Sequence, residues 1–209
     1  MAQSSLSPRV ARVLERAFEL TSVVPLGAFV VIHLVEYGRV LTGAAVVGAR
    51  RFPPPALIAL ELVLVWAPLA FHVVFGAVVW RQRRKVPDPD PPGGVGLLVL
   101  NRLSALLSLA FLVHHVVRFR LPILRGQVYP ADSLQRLAAE LSATRAGMPL
   151  VAALELAGVL AVSYHFAYGL FRLGARHSFD GIRLRIACTG TGAILGLLGA
   201  ATVIRLAGG

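Results

Sequence analysis

The chain carries little charge and almost no cysteine. Only 15% of its 209 residues are charged, whereas 56% are hydrophobic. A water-soluble domain needs about a quarter of its residues charged to cover its surface. The composition therefore excludes an ordinary soluble domain and indicates that lipid is the solvent. The single cysteine, Cys188, excludes an internal disulfide and any cluster held by several cysteines, and a small core residue is its expected role.

Five apolar runs are long enough to cross a bilayer, whose hydrocarbon core requires about 20 residues of helix. They cover residues 20–41, 55–80, 95–119, 148–171 and 186–207. Strands of a membrane barrel would alternate apolar and polar residues over about 10 positions, and these runs do not alternate. The sequence therefore predicts an all-α membrane protein of five transmembrane helices that form one domain over residues 1–209.

Basic residues dominate the charge that is present. The 21 basic residues exceed the ten acidic ones and give a formal charge of +11. Since no soluble domain is predicted to present a basic face, we expect no nucleic-acid partner, and contact with anionic lipid explains the charge. With the N-terminus inside, twelve basic residues fall on inner segments and nine on outer ones, which favours that orientation. The first run is too long for a cleaved signal, so we expect a retained helix.

Four of the predicted helices each present a histidine within the apolar run: His33, His72, His115 and His165. From a rise of 1.5 Å per residue, His33 and His115 lie roughly 3–9 Å toward the outer face and the other two roughly 6–7 Å toward the inner face. An internal repeat gives the same pairs. Helices one and three share Phe-x-Val-x-His, and helices two and four share an aromatic-His-x-x-aromatic-Gly pattern.

Two histidines at one level on facing helices suit the two axial positions of a haem iron. Two levels, roughly 12 Å apart along the membrane normal, predict two haem groups in the bundle of helices one to four. The pairs are His33 with His115 and His72 with His165. Histidines that merely bond to neighbouring carbonyls are the alternative, and zinc or copper would require ligands that converge within a few ångström.

Other residues compete with or surround these ligands. His114 lies about 100° from His115 around the third helix and is predicted to make a polar contact, while His177 lies in a predicted inner loop. Gly76 and Gly169 follow the inner histidines by four residues, so that they could admit a porphyrin edge or allow close helix packing.

The sequence also predicts the structure of one segment, and the role of another, outside the four-helix bundle. Leu134, Leu137, Ala138 and Leu141 recur at helical spacing, which predicts a short interfacial helix within residues 131–145. The fifth helix contains neither histidine nor carboxylate, so we expect it to support the other four.

The segments around the histidines resemble the single-subunit, dihaem cytochrome b anchor of succinate:quinone oxidoreductase, the class with five helices. They are residues 23–35, 67–76, 101–104, 115–116 and 158–169. The resemblance implies two haems b, with His72 and His165 at the haem nearer an iron–sulfur subunit and His33 and His115 at the distal one. It also implies that Arg102 suits a haem propionate, although an arginine that snorkels to the interface is an equal alternative.

The resemblance further implies the partners and the reaction. A flavoprotein and an iron–sulfur subunit would dock on the inner face, and quinone, with menaquinone expected, would exchange electrons with the chain in the inner (cytoplasmic) membrane. The chain would be the membrane subunit that does not bind the dicarboxylate. It departs from the family pattern before the first helix, where Phe18 and Glu19 replace a His-Ser pair. The alternatives are the dihaem anchor of another respiratory oxidoreductase and a haem-free membrane scaffold.

Three glutamates lie inside the helical runs, at Glu36, Glu61 and Glu155. By helical rise they lie roughly 7–11 Å to the outer side of the centre. Glu61 precedes His72 by 11 residues, close to three turns, so it is predicted to share the face that looks onto the haems. Glu36 and Glu155 lie about 60–80° from the face of their own helix's histidine. We therefore predict an outer-side quinone site at which Glu61 exchanges a proton.

Overall fold

The computed structural model of the chain describes residues 7–43, 54–85, 91–177, 179 and 181–208. Five helices within these residues are long and apolar enough to cross a membrane, and we number these spans in chain order: Arg12–Thr42, Pro55–Gln82, Gly94–Leu124, Leu150–Arg176 and Ile182–Ala207. The described residues contain no strand, only an isolated bridge between Arg145 and Met148. The predicted all-α fold with five membrane-spanning helices is confirmed, while the inside position of the N-terminus stays a prediction.

The first three spans are not regular α-helices throughout. The α-helices are α1 (Pro8–Thr21), α2 (Ala28–Gly38), α3 (Pro55–Glu61), α4 (Ala67–Lys85), α5 (Gly94–His115), α6 (Leu121–Leu124), α7 (Ser133–Ser142), α8 (Leu150–Arg176) and α9 (Ile182–Ala207). Wider π-helical turns interrupt the spans at Ser22–Gly27, Leu62–Trp66 and Val116–Arg120. The first contains Pro25, which has no N–H to donate and so favours an irregular turn. Such turns are common at functional sites.

The chain divides into two compact units, Met1–Val30 with Pro55–Asp90 and Val31–Pro54 with Pro91–Gly209. In the first unit, α1 packs against α4, and the turn Ser22–Gly27 packs against α4 and the turn Leu62–Trp66. Phe18 lies at this contact, with its ring centre 5.3 Å from that of Phe75. Association into a single domain over residues 1–209 stays a prediction.

In the second unit, α8 packs between α5 and α9. Glycines allow close approach on both sides. A Cβ on Gly158 of α8 would lie 2.1 Å from the Phe111 ring of α5, and one on Gly199 of α9 would lie 2.2 Å from Val159 of α8. Cys188 is buried beside Tyr168 and Phe171, as its predicted core role requires. The packing of α9 along α8 also agrees with a supporting role for the fifth span.

The helix predicted within residues 131–145 forms as α7, and its apolar side packs against the protein. Leu141 is only 1% exposed and joins a buried cluster with Phe111, Val151 and other residues of the second unit. Arg118 donates a hydrogen bond to Glu140 and ties the polar side of α7 to the third span. The predicted helix is therefore confirmed and packs against α8 and α9, while its position at the membrane interface stays a prediction.

Candidate functional site

His33 and His115 lie side by side in the second unit. Their ring centres are 6.1 Å apart and their planes are nearly perpendicular, at 84°. Since a metal–imidazole bond is about 2 Å long, two imidazoles that ligate one iron from opposite sides have ring centres about 6 Å apart. The separation observed therefore fits one iron between these two residues. Aromatic rings flank the pair, with Tyr37 beside His33 and Phe111 and Phe119 beside His115.

A buried carboxylate contacts the outer histidine pair. Oε2 of Glu155 lies 2.9 Å from Nδ1 of His115, and Glu155 is only 3% exposed. A carboxylate accepts, so the imidazole donates from Nδ1 and carries its lone pair on Nε2. Ligand histidines in proteins are commonly held this way, through the nitrogen that does not bind the metal. Glu155 therefore sets the tautomer of His115 that a metal ligand needs.

The neighbouring His114 has different surroundings. Its Nδ1 lies 3.5 Å from Oε1 of Glu155 but makes no hydrogen bond there. It lines an open cavity of about 490 Å³ with Arg118, Arg145 and several apolar side chains. Thus the geometry brings His115, and not His114, against His33. The sequence prediction that His114 makes a polar contact instead of ligating stays a prediction.

His72 belongs to the first unit, where the turn Ser22–Gly27 supplies its partner. Nδ1 of His72 lies 2.7 Å from the Ser22 hydroxyl, and that hydroxyl donates its own hydrogen to the Phe18 carbonyl at 2.5 Å. Since a serine has one hydrogen to give, the Ser22 oxygen accepts from Nδ1–H, and Nε2 carries the lone pair. The Phe18 ring stacks on the imidazole with a centroid distance of 4.6 Å and an interplanar angle of 8°.

His165 belongs to the second unit and contacts α5. Its Nδ1 lies 3.4 Å from the Asn101 carbonyl oxygen, which can only accept, so this histidine also donates from Nδ1. Arg102 follows Asn101 and is half-buried; its contact with a propionate stays a prediction. The pairing of His72 with His165 across one haem stays a prediction as well.

A known protein is similar to the chain in sequence. The chain is 26% identical over 159 residues to the succinate dehydrogenase cytochrome b558 subunit of Bacillus subtilis (strain 168), and the alignment covers 75% of each chain. The chain resembles a succinate dehydrogenase cytochrome b subunit. The resemblance predicted from the histidine segments is therefore confirmed, whereas the single-anchor, five-helix class stays a prediction. No family model and no solved structure matches the chain.

The other two membrane glutamates bond within their own spans. Oε1 of Glu61 accepts from the Trp66 indole at 3.1 Å, across the turn Leu62–Trp66. Glu36 lies 3.6 Å from Arg39, one turn along its own span. The π turn holds an extra residue, which corresponds to about 100° of rotation on an α-helix. Counting α-helical turns placed Glu61 on the same face as His72, and that placement is therefore wrong. The proton-transfer role of Glu61 stays a prediction.

The two glycines that follow the inner histidines have unequal surroundings. A Cβ on Gly169 would meet nothing within 4 Å, whereas one on Gly76 would lie 3.7 Å from the Phe18 ring. Neither position therefore requires glycine for close packing within its unit. Gly158 does require it, because a Cβ there would overlap Phe111. His177 follows the last residue of α8 and lines a second cavity, of about 400 Å³, with Cys188.

Sequence reasoning missed the partners that hold the histidines. The angular position of Glu155 was compared with that of the histidine on its own helix, but its partner is His115 on another helix. Nothing in the sequence indicated Ser22 as a histidine partner, because its position depends on a π turn that helical periodicity does not indicate. The Asn101 contact uses a backbone carbonyl, which any residue type supplies.

Proposed function

We propose that the chain is the membrane-anchor cytochrome b subunit of a succinate:quinone oxidoreductase and binds two haems b. The distal haem would be held by His33 and His115, and the proximal haem by His72 and His165. The relative supports the enzyme complex, since it is named as the cytochrome b558 subunit of a succinate dehydrogenase. The chain would carry electrons between the iron–sulfur subunit and quinone, in an enzyme that works either in succinate oxidation or in fumarate reduction.

The observation that carries the proposal is the outer histidine pair. The rings lie 6.1 Å apart, a separation that fits one iron, and a buried glutamate holds His115 in the required tautomer. A histidine that serves only to bond a neighbouring carbonyl needs no second imidazole facing it. The arrangement therefore favours ligation over the structural alternative.

The hydrogen bonds of the inner histidines favour the same tautomer as that of His115. Ser22 accepts from His72 and the Asn101 carbonyl accepts from His165. Both side chains then carry the lone pair on Nε2, the nitrogen farther from the backbone. Each haem iron, when bound, supplies reversible one-electron chemistry. The four histidines would hold the two haems, and apolar side chains around them would limit access of water to the iron.

The quinone, which we propose to be menaquinone, would bind on the outer side near the distal pair. Glu61 would exchange the proton that accompanies electron transfer, since a carboxylate within the membrane can take part in proton relays. The flavoprotein and iron–sulfur subunits would dock on the inner face. The basic stretch Arg81–Lys85 lies on the segment predicted to face them. Location in the inner (cytoplasmic) membrane follows from the same proposal.

A haem assay tests the proposal directly. The protein purified in mild detergent at native expression should yield two haems b per chain in a pyridine haemochrome assay. It should also copurify with a flavin-containing and an iron–sulfur-containing subunit. A colourless preparation would favour a haem-free scaffold, whereas two haems with different partner subunits would favour the anchor of another respiratory oxidoreductase.

A further inference from the structure

An open cavity of about 490 Å³ lies in the second unit, between the third span and the start of the fourth. Its polar lining comes from His114, Arg118 and Arg145, and five apolar side chains supply the rest. None of the three polar residues has a task in the proposed electron path. The described lining therefore contains two guanidinium groups and no carboxylate.

Arg118 keeps hydrogen-bonding capacity beyond the bond that it makes within the protein. One of its terminal nitrogens donates to Glu140 of α7. A guanidinium carries five N–H donors and no acceptor, and the side chain of Arg118 remains 35% exposed. Arg118 can therefore donate to a second acceptor that enters the cavity.

A tight turn holds Arg145 beside the cavity. Its N–H donates to the Met148 carbonyl at 2.9 Å, and its carbonyl accepts from the Met148 N–H at 3.1 Å. The two residues between them have positive φ angles, 52° at Ala146 and 76° at Gly147, as a type I′ turn requires. Alanine rarely adopts this conformation, so the surrounding structure must stabilise it. The backbone of Arg145 is therefore fixed directly before the fourth span.

The charge of Arg145 is uncompensated in the described part of the chain. The residue is exposed, and no carboxylate there forms an ion pair with it. Basic residues that adjoin a membrane span attract anionic lipid headgroups. A neutral quinone could accept hydrogen bonds from the arginines but would leave this charge without a counterion. The polar lining therefore favours an anionic ligand.

The apolar lining favours a ligand that also has a hydrocarbon chain. Val113 and Val117 lie one turn apart on the third span and are each 57% exposed, and Leu154 faces the same cavity from the fourth span. Lipid tails are as apolar as such side chains and contact them within the bilayer. A free phosphate ion would use the arginines but would leave this apolar surface uncovered. The two kinds of lining together suit a phospholipid.

We propose that the cavity binds one anionic phospholipid, with its phosphate on Arg118 and Arg145 and an acyl chain along Val113 and Val117. The inference goes beyond the proposed function and does not depend on bound haem, since it requires only that the third and fourth spans cross the membrane. The lipid would connect the turn before the fourth span to the third span.

Native mass spectrometry of the complex purified in mild detergent tests the proposal, with dioleoylphosphatidylglycerol as the anionic probe and dioleoylphosphatidylcholine as the zwitterionic one. The wild type should bind one phosphatidylglycerol per chain more tightly than phosphatidylcholine. Arg145→Gln should weaken phosphatidylglycerol binding roughly fivefold, the contribution expected of one arginine near a membrane surface. Binding of phosphatidylcholine should not change. The variant should fold, because the turn uses only backbone groups of Arg145.

Arg125→Gln is the matched control, because it removes the same charge from an exposed residue just beyond the third span that does not line the cavity. It should retain the wild-type affinity for phosphatidylglycerol. Equal losses of affinity in the two arginine variants would reveal a general attraction to the basic surface and would overturn the site. A wild type without preference for phosphatidylglycerol would overturn it as well.

Val117→Trp tests the apolar part of the cavity while it keeps both arginines. It should also weaken phosphatidylglycerol binding, whereas Ile194→Trp, at an exposed position of the fifth span, should not. Displacement of the lipid by inorganic phosphate, with no effect of Val117→Trp, would assign the arginines to a free anion and overturn the proposal. A short-chain menaquinone whose binding falls in Val117→Trp, without any fall in phosphatidylglycerol binding, would assign the cavity to quinone instead.

Discussion

The outer and inner histidines differ in what holds them. His115 donates to a buried carboxylate of a neighbouring helix, whereas His72 donates to a hydroxyl and His165 to a backbone carbonyl. All three contacts select the same tautomer, so the position of the lone pair is common to both levels. Of these three contacts, only that of His115 is to a carboxylate. The residue type, histidine at all four positions, therefore does not indicate this difference between the contacts.

The largest effect should come from removing one outer ligand. His115→Ala should abolish binding of the distal haem, because one axial position of the iron loses its imidazole, and the haem content should fall from two to one. A pyridine haemochrome assay measures this content. His114→Ala is the matched control on the adjacent residue and should retain both haems. Loss of the distal haem from the His114 variant, with retention in the His115 variant, would transfer the ligand role.

The next effect concerns the side of the membrane at which quinone reacts. Glu61→Gln keeps the shape of the side chain and removes its titration, so quinone-linked turnover should fall by about 100-fold or more, as for loss of a general acid–base group. Both haems, and succinate oxidation by an artificial acceptor, should survive. Glu36→Gln is the control, since Glu36 pairs with Arg39 at a similar predicted depth. Normal quinone turnover in the Glu61 variant would indicate an inner-side site.

A weaker effect is expected at the inner level from Ser22→Ala. The variant removes the acceptor for His72 but no ligand, and loss of such a partner typically costs about 10–100-fold in metal affinity. The proximal haem should therefore dissociate more readily on dilution in detergent, as followed by absorbance. Thr21→Ala removes a hydroxyl that bonds to its own helix at Ala17 and should have no such effect. Equal haem loss from the two variants would contradict the assigned role of Ser22.

The sequence predicted the spans well because their length and apolarity follow from the bilayer itself. The helices extend beyond the apolar runs, as at Arg120, since polar residues continue a helix into the interface. The π turns could not be predicted, because they depend on packing, and the face assigned to Glu61 failed for that reason. The sequence showed Glu155 within a helical run, but pairing it with His115 required the distance between two helices.

The smallest effect should distinguish space for a porphyrin from plain helix packing at the inner level. Gly169 follows His165 by four residues, and a Cβ there would meet nothing within 4 Å of the protein. If the proximal haem edge lies against this position, as we expect, Gly169→Ala should keep both haems but shift the absorption band of the proximal one. Gly190→Ala on α9 is the matched control, because its Cβ would also meet nothing within 4 Å and its span carries no histidine. Both substitutions should favour the helix by up to about 1 kcal/mol, so a difference between their spectra reports the haem and not the fold. Identical spectra in the two variants and the wild type would remove Gly169 from the haem surroundings and leave it a glycine without an assigned role.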